Sequence, residues 1–149
     1  MAFDECYGLK EVHISDITAW CGIDFSGGYS NPLVYAGNLY LNGELITELV
    51  IPNNVTSIDS YAFYGCTGLT SITSLIPADA LFTVDSYTFY NVDKNACTLN
   101  VPYGAKETYA ATAGWNEFTN IVELGPEVIG GSCGANVNWI LENGVLTIT

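Results

Sequence analysis

The feature that most restricts the folds open to this chain is a motif that returns at fixed offsets. Residues 46–75, ITELVIPNNVTSIDSYAFYGCTGLTSITSL, hold one complete unit and the strand that begins the next. Ahead of it, Ala2, Phe3, Cys6, Leu9 and Val12 match Ala62, Phe63, Cys66, Leu69 and Ile72 at a constant offset of sixty. Behind it, VDSYTFY at 84–90 repeats IDSYAFY at 58–64, an offset of twenty-six. Units this short cannot enclose an apolar core of their own. Each must cover its neighbour's apolar edge, so the repetition predicts a solenoid with one continuous interior.

The inward positions of successive strands align as Val12, Leu49, Ile72 and Leu99. Leu49 to Ile72 is twenty-three residues and Ile72 to Leu99 twenty-seven, the extra length being supplied by PADALF. Connections of this length leave no room for a full crossover helix. They should be tight turns, with a short second strand at 55–58 and a single helical turn near AFYGC. Phe63 and Phe89 would then stack in a column, one ring per unit.

Residues 16–45 interrupt the repeat and read as an insertion. It contains the glycine- and serine-rich loop FSGGYSNP and a hairpin turning at Asn42-Gly43. After Pro102, residues 105–113 form the one convincing helix, with Gly114 placed as its C-terminal cap. Trp115, Phe118 and Ile121 follow as an apolar cluster. A solenoid must cover its last open edge, so 103–124 reads as the cap of a domain spanning 1–124. Residues 125–149 read as a hairpin turning at Asn143-Gly144, the start of a further module. Because Met1 is followed at once by the middle of a unit, the chain is expected to be a fragment of something longer.

Charge narrows the function. Sixteen acids stand against three basic residues, all lysine, for a net charge of -13. Such a chain repels phosphate backbones and anionic lipid headgroups, which disfavours nucleic-acid and membrane-surface binding. No run of about 18 apolar residues is present to span a bilayer. The acid excess reads as solubility rather than a dedicated cation site.

Chemistry is harder to find. The five cysteines (Cys6, Cys21, Cys66, Cys97 and Cys133) form no CxxC pair, and Cys6 and Cys66 fill the same slot of successive AFxxC motifs, as buried thiols would. His13 is the lone imidazole, which argues against zinc and against nucleophilic catalysis; Cys21 lies eight residues away by coincidence. There is no phosphate-cradling loop and no EF-hand spacing. The reading is no enzyme, no cofactor and no metal.

IPNNVTSIDSYAFYGCTGLTSI resembles the repeat of BspA-like leucine-rich-repeat proteins, IPxxVTxIxxxAFxxCxxLxxI. The stretches DITAWCGIDFSGGYSNPLVYAGNLYLNGELIT and LNVPYGAKETYAATAGWNEFTNIVE are similar to segments that recur in that family, and SCGANVNWILENGVLTI to a hairpin that opens a further module. At 84–97 the pattern departs, with Thr88 in place of the motif's alanine and Val92 in place of its cysteine. The resemblance implies a right-handed leucine-rich-repeat solenoid of the β-rich, α/β superhelix class. A short parallel sheet would line its concave face, turns and short helical turns its convex side, and one helix its C-terminal cap. It also implies export to a bacterial cell surface and adhesion or protein binding, with no catalytic motif to carry over.

If the aligned strand residues point inward, alternation sends their neighbours onto the concave face. One row is His13, Val50, Thr73 and Asn100; beside it runs Glu11, Glu48, Ser71 and Thr98. Both are candidate docking residues for a protein or glycan, the alternative being merely solvated strand positions. Trp20 and Phe25 are expected to be buried, while Tyr29, in the glycine-rich loop, is the exposed aromatic candidate. A structural spacer presenting another domain is the rival function. The exposed strand edge of the first unit is where a second copy could pair.

Overall fold

The structure, a computed structural model, describes residues 2–126, 129–132, 137–142 and 144–149. Strands β1 (Val12–Ile14), β2 (Leu39–Leu41) and β3 (Glu44–Leu45) form one sheet. Strands β4 (Glu48–Ile51), β5 (Ser71–Ser74), β6 (Thr98–Val101) and β7 (Asn120–Glu123) form a second, in chain order and parallel throughout. Leu49, Ile72, Leu99 and Ile121 lie in register across it, all buried. Consecutive parallel strands with apolar residues in one column are what a shared interior requires.

Two strand expectations need correction. Ile121, read as part of a cap cluster, belongs to a fourth strand of the parallel sheet. Val12 does not align with Leu49: β1 pairs in parallel with β2, Val12 opposite Leu39 and His13 opposite Tyr40. The neighbour of β1 is therefore drawn from the supposed insertion. Val12 to Leu39 is twenty-seven residues, the same as Ile72 to Leu99, so this segment takes the place of a unit.

Within that segment, helices α1 (Ile17–Cys21) and α2 (Leu33–Ala36) stand where the AFxxC turn stands elsewhere. Asp16 caps α1 by accepting from the Ala19 amide at 3.1 Å, satisfying one of the first turn's free donors. Ile17, Trp20, Cys21, Phe25, Leu33 and Leu39 join the same core as the repeat. The Trp20 indole donates to the Ala62 carbonyl and the Asn31 amide to that of Tyr61, both at 2.8 Å. The hairpin between β2 and β3 turns at Asn42 (φ 52) and Gly43 (φ 89), left-handed conformations that Asn and Gly tolerate best.

Phe63 and Phe89 stack with centroids 5.6 Å apart and planes 7° from parallel. Trp115 and Phe118 cover Phe89 at 5.7 and 5.5 Å, which closes the column. Val92 is buried in the motif's cysteine slot, and buried Thr88 donates to the Asp59 carbonyl at 3.2 Å. The first unit is different: Cys6 is only half-buried and Phe3 is 37% exposed. Cys6 is thus not a core thiol, although Cys66 is.

The connections are simpler than expected. Residues 55–58 carry no strand, and AFYGC forms successive turns rather than a helical turn. The reason is visible in its amides. Phe63 and Gly65 donate to the Thr88 and Tyr90 carbonyls of the next unit at 3.0 and 2.9 Å, so these N–H groups bond across units.

Helix α3 (Lys106–Ala111) is shorter than predicted, ending at Thr112 in extended backbone. Gly114 is not its cap; at φ 86 it precedes the turn that carries Trp115. The buried Tyr109 hydroxyl donates to the Ile76 carbonyl at 2.8 Å and lies 2.6 Å from the Ser74 hydroxyl, while the Trp115 indole donates to the Phe82 carbonyl at 2.8 Å. These bonds fasten the helical segment to the end of β5 and to the connection between β5 and β6.

Strands β8 (Ile129–Ser132), β9 (Asn138–Glu142) and β10 (Val145–Ile148) form an antiparallel sheet in that order, one strand more than the predicted hairpin. Gly144 adopts φ 75 between β9 and β10. Asn143, the other half of the predicted turn, and Cys133 lie outside the described residues.

Candidate functional site

The exposed side of the parallel sheet carries two rows set by strand register. Glu48, Ser71, Thr98 and Asn120 form one; Val50, Thr73, Asn100 and Val122 form the other. Glu48, Val50, Asn120 and Val122 are exposed, whereas Ser71, Thr73, Thr98 and Asn100 are half-buried. The Asn100 amide reaches the Ser71 and Thr73 hydroxyls at 3.5 and 3.4 Å, and the Asn120 amide donates to the Thr98 hydroxyl at 2.8 Å. The face is polar and self-bridged at its centre, with an exposed valine toward each side.

Six of the predicted face residues are thereby brought together: Glu48, Val50, Ser71, Thr73, Thr98 and Asn100. His13 and Glu11 are not among them. His13 lies on β1, stacked on Tyr40 with centroids 4.6 Å apart and planes 14° from parallel, and Glu11 is bonded to its Nε2 at 3.0 Å. Asn120 and Val122 were missed, yet NIVE repeats the outward-inward alternation of TLNV at an offset of twenty-two. Tyr29 is 61% exposed, in the turn Gly28–Ser30, while Trp20 and Phe25 are buried against each other.

These groups can bond and pack; they offer little reactive chemistry. Burial, with Asp16 as a lesser cause, pushes the Cys21 thiol up to about 12, and burial pushes that of Cys66 to about 12. Cys97 is raised to about 11 by burial and then by Asp93. Thiols held protonated so far above neutrality are poor nucleophiles. Among the described residues, no three His, Cys, Asp or Glu gather as a metal would need, and no helix is long and apolar enough to cross a membrane.

Comparison with known proteins gives one match. A family model described as BspA type leucine rich repeat region, in six copies, matches residues 37–124, more than half of the chain. No curated protein and no solved structure matches the chain.

Proposed function

We propose that this chain, which belongs to the BspA-type leucine-rich repeat family, is a non-catalytic interaction module of a bacterial cell surface. The chain winds as a right-handed solenoid whose parallel sheet forms the concave face, and that face engages a host or matrix protein or a glycan. The domain ends near residue 124, and 125–149 begin a further module.

The observation that carries this reading is the pair of exposed rows held in register over four strands. Strand pairing fixes such side chains at the outset, so little conformational entropy is lost when a ligand docks. The polar centre supplies hydroxyl and amide groups, and Val50 and Val122 supply apolar contact. The experiment is a screen of immobilised matrix proteins and glycans with the wild type and with a Val50→Asp, Val122→Asp variant. The expected result is a ligand whose binding the variant loses while its thermal melt is unchanged. Absence of any ligand, or binding indifferent to both substitutions, counts against the concave face.

One observation favours a structural spacer instead. Asn100 bonds Ser71 and Thr73, and Asn120 bonds Thr98, so the central groups are already partnered within the sheet. Under that reading the same variant keeps its adhesion and its fold.

A further inference from the structure

The repeat that buries Phe63 and Phe89 also sets a tyrosine on each side of them, in SYAFY and SYTFY. Tyr61 stacks on Tyr87 at 5.4 Å with planes 17° apart, and Tyr64 on Tyr90 at 5.0 Å with planes 12° apart. Tilted contacts between Tyr61 and Tyr64 (5.8 Å, planes 44° apart) and between Tyr87 and Tyr90 (5.7 Å, planes 40° apart) join the two ladders into a four-ring platform. Tyr87 and Tyr90 are 47% and 42% exposed. Trp115 and Phe118 cover Phe89 and close the inner column, while Tyr61 and Tyr64 are half-buried and Tyr87 and Tyr90 form the exposed end of the outer ladders.

A contiguous aromatic patch on a protein surface marks a contact site, and tyrosine provides rigid contact area at low entropic cost. Charge selects the partner. No lysine or arginine occurs between Lys10 and Lys94, and the chain as a whole carries -13. Asp59 and Asp85 each stand two positions before a platform ring, and exposed Asp85 accepts from the Tyr87 amide at 2.9 Å. Ring faces are electron-rich, so the rings and the surrounding field both favour a cation. A guanidinium fits best, because it is flat enough to stack and carries donors for phenol and carboxylate oxygens. A sugar ring could also stack here, but a neutral one would gain nothing from the acidic field.

We propose that the platform of Tyr61, Tyr64, Tyr87 and Tyr90 docks an arginine-bearing segment of a basic protein partner. It shares no residue with the strand face, so either surface can fail without the other.

The test is a nuclear magnetic resonance titration of the wild-type chain with a short peptide of alternating arginine and glycine. Peptides with lysine or glutamate in place of arginine, and a neutral glucan oligosaccharide, are titrated in parallel. The expected result is movement of the four tyrosine ring signals with the arginine peptide, less with lysine and none with glutamate. Substituting Tyr87→Leu and Tyr90→Leu together should weaken binding about tenfold, and Tyr87→Phe with Tyr90→Phe by no more than about threefold. If the leucine variant fails to fold, the wild-type titration alone decides. Shifts scattered over the acids with the rings unmoved would overturn the proposal in favour of bulk charge attraction. Rings moved by the oligosaccharide and not by the arginine peptide would overturn it in favour of a glycan site.

Discussion

Replacing Phe89 with alanine tests the shared interior at its most connected point. Its ring meets Phe63 in the preceding unit and both Trp115 and Phe118 in the closing segment. Truncating a buried phenylalanine costs about 3–5 kcal/mol. Aromatic pairs add about 0.5–1.5 kcal/mol each beyond the area they bury, which places Phe89→Ala near the upper end, about 5 kcal/mol. That is comparable with the whole stability of many domains, about 5–15 kcal/mol. The matched control is Phe3→Ala. Phe3 holds the equivalent motif position sixty residues before Phe63 yet is 37% exposed, so its loss should stay within about 1 kcal/mol. Urea denaturation followed by tryptophan fluorescence measures both, with Phe89→Leu as the milder variant if the alanine form does not fold. A Phe89→Ala cost below about 1 kcal/mol, or one equal to that of Phe3→Ala, would refute the idea of a column passing through successive units.

Two further outcomes follow from buried groups and backbone geometry. Folding raises the thiols of Cys21 and Cys66 from 9.0 to about 12 and the Tyr109 phenol from 10.0 to about 12, by burial in each case. The unfolded chain therefore releases these protons first. Stability should be full below about pH 9 and fall as pH rises toward 12, each differential proton contributing about 1.4 kcal/mol per pH unit. Urea midpoints that stay flat from neutrality to about pH 11 would contradict this. Gly114→Ala should cost about 2 kcal/mol or more, since φ is 86 and an added Cβ would run into the Val84 carbonyl. Gly8→Ala, where a Cβ meets nothing, serves as the control, and equal melting temperatures for the two variants would contradict the geometry.

The repeat makes much of the fold legible in the sequence. Leu49, Ile72 and Leu99 could be aligned because each sits in a short alternating run (ELVI, SITS, TLNV) next to a recognisable unit, and the same period-two alternation names the exposed row. Phe63 and Phe89 were likewise fixed by one short matching segment. Where the pattern was overwritten, reading failed. Leu39 supplies the inward residue of a strand, but α1 and α2 replace the AFxxC turn before it, so the segment looked foreign and His13 was assigned to the wrong row. Ile121 follows a helix and two large aromatics, a setting that suggested a plug rather than another strand. The AFYGC turn misled in the opposite way. Its composition suits a helical turn, but its Phe63 and Gly65 amides find carbonyls in the next unit, a choice made by tertiary contact. The tyrosine platform was written in SYAFY and SYTFY all along.

The central claim is that neighbouring units lie side by side as parallel strands over one apolar interior. Cross-strand nuclear Overhauser contacts between backbone protons of β4, β5, β6 and β7 measure this most directly. The expected contacts link Leu49 with Ile72, Ile72 with Leu99 and Leu99 with Ile121, in parallel register. Antiparallel registers, or contacts joining Leu49 directly to Leu99, would contradict it.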